Sequence, residues 1–174
     1  VSVPVIAVGR LVPDEAEALL AEGGCDFVSM GRQQLADPAL AAKLMRGDAD
    51  AVRPCINCYV CVEQNFFDGT PRCAVNPALG HEELAAVPVA ASPRNVVVVG
   101  GGPAGCEVAR RAALAGHRVT LLERSHRLGG TVRFSELTTP DNGRIVRWLE
   151  HELAGSAVDV RLGVEATVES VRAL

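Results

Sequence analysis

Cys55, Cys58 and Cys61 stand in the run Cys55-Ile-Asn-Cys58-Tyr-Val-Cys61, and Cys73 follows after eleven more residues. Thiols at this spacing can converge on one small object. A structural zinc site more often uses two separated pairs of the form C-x2-C. Three cysteines in one tight loop with a distant fourth suit a cuboidal iron–sulfur cluster, because one loop can meet three of its corners. Zinc is the alternative ligand, and incidental thiols the bland one. Cys25 and Cys106 lie outside the pattern and read as small buried residues.

The second chemical signature is Gly100-Gly-Gly102-Pro-Ala-Gly105, directly after the apolar run Asn95-Val-Val-Val-Val99. Gly100 permits a tight turn, Gly102 lets a pyrophosphate approach, and Gly105 allows a helix to pack closely on a strand. Glu123 ends the next strand, where a carboxylate accepts hydrogen bonds from a ribose diol. A glycine turn beside a surface glutamate would explain any one of these residues, but not their order. Gly129-Gly130 follows in a loop assigned to the same site.

The third signature is repeated. Val3 to Val8 ends at Gly9-Arg10, and Asp26 to Met30 ends at Gly31-Arg32. Glycine admits a ligand to the backbone and arginine binds phosphate. Ordinary strand-to-loop turns would account for one Gly-Arg pair; two at equivalent positions favour a phosphate site of the kind formed at the end of a (β/α)8 barrel. His81, His117, His126 and His151 show no ligand spacing, and Trp148, with Val146 and Leu149, reads as core.

The elements that must position these groups follow in order. Two buried strands, at 3–8 and 26–30, are each followed by a helix, at 13–22 and about Pro38 to Arg46. The cysteine segment spans 53–83, and a Pro-rich stretch at 84–94 is the linker. From 95 to 174 come a strand, a helix to about Ala115, strand 119–122, a helix near 143–153 and a strand near 158–162. The fold class is α/β: the last two βα units of a TIM barrel over 1–52, the cluster segment, and the beginning of a Rossmann-like domain over 95–174. Two units cannot close a barrel, so the earlier strands are expected to precede residue 1, making the chain a piece of a longer polypeptide.

Composition agrees. Of 174 residues, 48% are hydrophobic and only 3% aromatic, which suits Ala/Val/Leu-rich α/β layers. The net charge of −4, with both signs interspersed, gives no argument for nucleic acid or an anionic membrane. No apolar run approaches the roughly 20 residues of a membrane span, and the first residues lack a basic leader. The reading is of a cytoplasmic protein acting on a small-molecule substrate, with a homo-oligomer left open.

The three motifs in this order, including Ser29-Met30-Gly31-Arg32-Gln-Gln-Leu-Ala-Asp-Pro38, closely resemble the old-yellow-enzyme branch that contains 2,4-dienoyl-CoA reductase and trimethylamine dehydrogenase. The resemblance implies that Gly9, Arg10, Gly31 and Arg32 hold the phosphate of FMN. It implies that Cys55, Cys58, Cys61 and Cys73 ligate a [4Fe–4S] cluster, and that Gly100, Gly102, Gly105, Glu123 and Gly130 line a site for FAD, or ADP in the amine dehydrogenase. Electrons would run from NAD(P)H through FAD and the cluster to FMN, reducing an α,β-unsaturated, enoate or dienoyl-CoA-like substrate. The catalytic residues of such a barrel would lie before residue 1, and the isolated 174 residues would be inactive. Two residues, Tyr59-Val60, separate the second and third cysteines, as in the amine dehydrogenase branch; the reductase pattern has three. An amine dehydrogenase or N-demethylase, exporting electrons to an external electron-transfer flavoprotein, is therefore the second reading. A non-catalytic module with structural zinc is the third.

Overall fold

The computed structural model describes residues 2–67 and 69–174; Val1, and Asp68 within the cysteine segment, lie outside the described residues. The chain divides into two compact units, Val1–His81 and Glu82–Leu174.

In the first unit, β1 (Ile6–Val8) pairs in parallel with β2 (Phe27–Ser29), Ile6 facing Phe27 and Val8 facing Ser29 across the ladder. Helix α1 (Pro13–Ala21) connects them, with Pro13 in its first turn and the Glu15 carboxylate accepting the Val12 N–H at 3.3 Å. Both strands are shorter than the sequence suggests, and they are not buried: Ile6, Val8 and Phe27 are 61, 75 and 58% exposed. The physical reason is coverage. A parallel strand is sequestered only when both faces are packed, and here the half-buried side chains are those of Ala7 and Val28, one face of each strand.

The second helix also departs from expectation. Instead of a loop leading to Pro38, α2 (Gly31–Ala36) begins directly after β2, and α3 (Leu40–Met45) follows. Pro38 makes the division: the residue before a proline is driven from the helical region, and Asp37 is extended at φ −139°, ψ 97°. Residues 33, 36, 37 and 40 nonetheless share one inward face, with Gln33, Ala36, Asp37 and Leu40 at 3, 1, 5 and 2% exposure. Among the described residues of the cysteine segment, the regular elements are α4 (Val60–Glu63), a 3-10 turn at Gln64–Phe66 and the start of another at Glu82–Leu84.

The second unit is a parallel three-stranded sheet in the order β3 (Asn95–Val99), β4 (Arg118–Glu123), β5 (Asp159–Leu162). Helix α5 (Pro103–Leu114) connects β3 to β4, and α6 (Val132–Glu136) and α7 (Asn142–Ala154) lie between β4 and β5. A short helix, α8 (Val168–Arg172), follows, with the Thr167 hydroxyl accepting the Ser170 N–H. The core joins Val98, Val119, Leu121 and Leu122 of the sheet to Cys106 and Ala109 of α5 and to Ile145, Val146, Trp148, Leu149 and Leu153 of α7. Arg110 of α5 lies 5.3 Å from the Trp148 ring and pairs with Glu107 and Glu152 at 2.9 and 3.3 Å.

Candidate cofactor sites

The glycine turn of the second unit is built by close approach. Gly100 has φ +99°, a conformation that L side chains rarely adopt, and its N–H donates to Leu122 O at 2.8 Å, so the turn stays joined to β4. A Cβ on Gly105 would stand 1.9 Å from Gly100 O; only glycine lets α5 lie so near the end of β3. Gly102 is the N-cap of α5, with nothing within 4 Å of where its Cβ would be. The helix start therefore faces open space, the arrangement that presents N–H groups to a phosphate. Gly130, at φ +51°, brings a second backbone against the first: its Cβ would stand 3.2 Å from Gly102 Cα. Gly129 N donates to Gly101 O at 2.7 Å and closes the two loops on each other.

Glu123 is tied into this turn. Its carboxylate accepts the Gly101 N–H at 2.6 Å and the Ser125 N–H at 2.7 Å. These bonds, that from Ser125 first, hold its pKa below the ordinary glutamate value. An ionised carboxylate has about four acceptor positions, so two remain for a ribose diol. Cys106 sits beneath the turn, fully buried, with its thiol donating to Gly101 O. Burial, reinforced by the carboxylates of Glu150 and Glu123, pushes this thiol up to about 12.

At the barrel-like strand ends, Gly9 and Arg10 have successive positive φ values of 131° and 56°, which turn the chain sharply out of β1. Gly31 and Arg32 lie in the first turn of α2 rather than in a loop. The Arg32 Nη1 is buried and has no hydrogen-bond partner among the described residues. A buried guanidinium nitrogen without an acceptor is costly. An anionic oxygen is what it lacks, so a phosphate group fits the position.

The four cysteines of the pattern are all free thiols. Burial pushes Cys55 and Cys73 above the ordinary range for cysteine. Against burial act the Asn57 N–H and the Arg32 charge on Cys55, and the Val75 and Asn76 N–H groups on Cys73. Cys73 and Cys58 add to the upward push on Cys55, and Cys58 and Cys61 to that on Cys73. Asn57 and Tyr59 are left-handed, at φ 52° and 62°, and curl the loop. Among the described residues, no group of three or more His, Cys, Asp or Glu is disposed to hold a metal ion. A single zinc at about 2.3 Å from each sulfur would need the thiols within roughly 4 Å of one another. A cluster, in which each thiolate meets a different iron, needs a looser set. Cys55 and Cys73, each with backbone N–H groups donating to its sulfur, have the donor chemistry of cluster ligands.

Three buried polar residues to which the sequence assigns no role hold this segment in place; Gln33 and Asp37 stand within the run from Ser29 to Pro38, and Asn76 lies outside every motif. Gln33 accepts the Cys55 N–H and donates to Arg53 O, both at 2.8 Å. Asp37 accepts the Arg53 N–H and the Lys43 ammonium, both at 2.7 Å. Asn76 donates to Leu35 O at 2.9 Å and accepts the Ala78 N–H at 3.1 Å. The Arg53 guanidinium donates to Val75 O at 3.0 Å, so the residues just before Cys55 are joined to those just after Cys73. The available signal was the helical spacing of 33, 36, 37 and 40, which puts Gln33 and Asp37 on an otherwise apolar face. Cys25, expected to be buried, is buried. Of the histidines, His117 accepts the Arg94 N–H through Nδ1.

Residues 1–51 match the NADH:flavin oxidoreductase / NADH oxidase family, and residues 95–170 match the FAD dependent oxidoreductase family. The whole chain aligns with an NADH oxidase of Thermoanaerobacter brockii at 41% identity, covering 28% of that protein. The chain belongs to the NADH:flavin oxidoreductase family, in the branch related to old yellow enzyme and trimethylamine dehydrogenase. An N,N-dimethylglycine/sarcosine dehydrogenase of Chromohalobacter salexigens is 38% identical over 99% of the chain and 26% of that protein. Among solved structures, the complex of 2-naphthoyl-CoA reductase with 2-naphthoyl-CoA superposes with a TM-score of 0.94 at 34% identity, over 99% of this chain and 27% of that one. The chain thus spans about a quarter of the length of the proteins it matches. No helix among the described residues is long and apolar enough to cross a membrane.

Proposed function

We propose that this chain is the part of an iron–sulfur flavoprotein oxidoreductase that carries the FMN-phosphate end of a barrel, the cluster loop, and the first half of a dinucleotide domain. The observation that carries the reading is the set of four thiols, two of them (Cys55 and Cys73) supplied with backbone N–H donors, in sequence between a stretch matching a flavin oxidoreductase family and one matching an FAD-dependent family. When bound, FMN, the [4Fe–4S] cluster and FAD supply the two-electron and one-electron chemistry that would link NAD(P)H to an α,β-unsaturated substrate. The chain's own residues bind and orient. Arg32, with Gly9, Arg10 and Gly31, would receive the FMN phosphate. Cys55, Cys58, Cys61 and Cys73 would ligate the cluster, held in register by Gln33, Asp37, Arg53 and Asn76. Gly100, Gly102, Gly105 and Gly130 leave room for a pyrophosphate, and Glu123 keeps acceptor positions for a ribose. Substrate chemistry would belong to residues outside this chain, so the 174 residues alone are expected to show no turnover.

The test is an absorption spectrum of the full-length polypeptide, purified anaerobically, before and after NAD(P)H. Flavin bands with a broad cluster shoulder, bleached by the nicotinamide, support the proposal. A colourless protein overturns it in favour of a zinc module. The two-residue spacing of Tyr59-Val60 and the similarity to a dimethylglycine/sarcosine dehydrogenase favour a second reading, an amine-oxidising enzyme passing electrons to an external flavoprotein. Bleaching by a methylated amine, with no response to NAD(P)H, would select it.

A further inference from the structure

Tyr59 occupies an unusual position. It is the residue before α4, between two of the cysteines, and its φ of 62° is one that aromatic residues seldom adopt. Its ring does not enter the core, being 49% exposed. It lies instead against the guanidinium of Arg32, whose Cζ is 4.5 Å from the ring centroid. That same guanidinium carries the buried, unpartnered Nη1, and its charge is felt at Cys55.

These observations fit together in one way. A flexible arginine binds a phosphate tightly only if its planar head is already oriented. An aromatic face below the guanidinium does this without competing for its N–H groups, because the attraction is to the ring's π face and the donors in the plane stay free. An acidic partner would also orient the head, but would occupy those donors. We infer that Tyr59 is a positioning residue for Arg32: its ring fixes the guanidinium so that Nη1 meets a phosphate monoester, and it thereby joins the cysteine loop to the phosphate site. The inference rests on the assignment of Arg32 to the FMN phosphate.

The test is made on the full-length polypeptide, stripped of flavin and titrated with FMN and with riboflavin, which lacks the phosphate. Binding is followed by quenching of flavin fluorescence, and iron per protein is measured alongside. Tyr59→Asn removes the ring while suiting the left-handed backbone; Tyr59→Phe keeps the ring. In Tyr59→Asn the preference for FMN over riboflavin is expected to fall about fivefold, the scale of a partly desolvated cation–π contact. Riboflavin affinity and iron content should not change, and Tyr59→Phe should match the parent. Because Tyr59 acts through Arg32, Tyr59→Asn should add nothing once Arg32 is alanine. An unchanged preference in Tyr59→Asn, a full effect in the Arg32→Ala background, or loss of iron in Tyr59→Asn would each overturn the inference while leaving the phosphate assignment standing. A parent that does not distinguish FMN from riboflavin, with Arg32→Ala inert, would overturn the phosphate assignment and the inference with it.

Discussion

Gly105→Ala separates two forces that act in opposite directions. Gly105 is in the first turn of α5, and by helix propensity alone alanine should stabilise it by about 1 kcal/mol. The packing predicts the reverse. The new Cβ would stand 1.9 Å from Gly100 O, and the obstacle is backbone, not a side chain that can swing away. Gly100 is itself held, its N–H bonded to Leu122 O at 2.8 Å and its φ at +99°. Helix and turn must separate by about 1 Å, which belongs at the upper end of overpacking costs, about 3 kcal/mol. The net expectation is a loss of about 2 kcal/mol, or roughly 8–15 °C in Tm for a unit of this size. Trp148 is the chain's single tryptophan, 5% exposed on α7, so its fluorescence during urea or thermal unfolding reports this unit. The control is Gly102→Ala. With φ −72° and nothing within 4 Å of its Cβ, it should keep stability within about 0.5 kcal/mol. It should instead weaken dinucleotide binding, because the methyl group projects where a pyrophosphate would lie. A Gly105→Ala variant as stable as the parent, or more so, would refute the claim that close helix–strand approach is what this glycine provides.

Three further outcomes are expected. Gln33→Ala strands the Cys55 N–H and Arg53 O, and should cost about 2 kcal/mol in denaturant unfolding of the first unit and lower the iron retained by the full polypeptide; unchanged values of both would remove Gln33 from the clamp. Glu123 has a depressed pKa, so its contribution is present above the ordinary glutamate value and is lost as pH falls through the lower, folded one; Glu123→Gln should lie below the parent near neutrality and converge with it in acid, and parallel Tm–pH curves would contradict the Gly101 and Ser125 bonds. Cys106, with its thiol pushed up from 9.0 to about 12, contributes fully below pH 9 and less as pH rises toward 12; in the native, cluster-free chain at pH 8 it should resist alkylation while exposed Cys58 reacts, as mass mapping would show, and equal labelling would count against the buried thiol.

What the sequence makes legible is what is local. Gly100, Gly102 and Gly105 each answer a need set within a few residues, so the strand at 95–99, the turn and the helix from Pro103 stand where the spacing puts them. The helix expected from about Pro38 to Arg46 is α3, and what the spacing does not reveal is α2 before it. Pro38 separates α2 from α3, and the first of these begins at Gly31. The expectation of buried strands at 3–8 and 26–30 failed for a different reason. A β-branched run shows that a strand could be covered on both faces, but the cover itself comes from elsewhere in a fold, and Val8 is 75% exposed.

The clamp was invisible for a reason that bears on how such a site is made. Cysteine spacing marks a candidate ligand set because its members are close in sequence; the groups that position them are not. Asn76 bonds Leu35 O across 41 residues, and Gln33 reaches Cys55 across 22. Each is a neutral or singly charged side chain that would pass for surface in a residue count. Together they hold both ends of the Cys55–Cys73 stretch against α2, the helix that carries Arg32. One short helix therefore carries the Arg32 guanidinium and anchors the thiol loop. A change that shifted α2 would act on both at once, so flavin affinity and cluster retention should respond together to mutations at Gln33 and Asp37, and separately to removal of the Tyr59 ring, which lies against the Arg32 guanidinium.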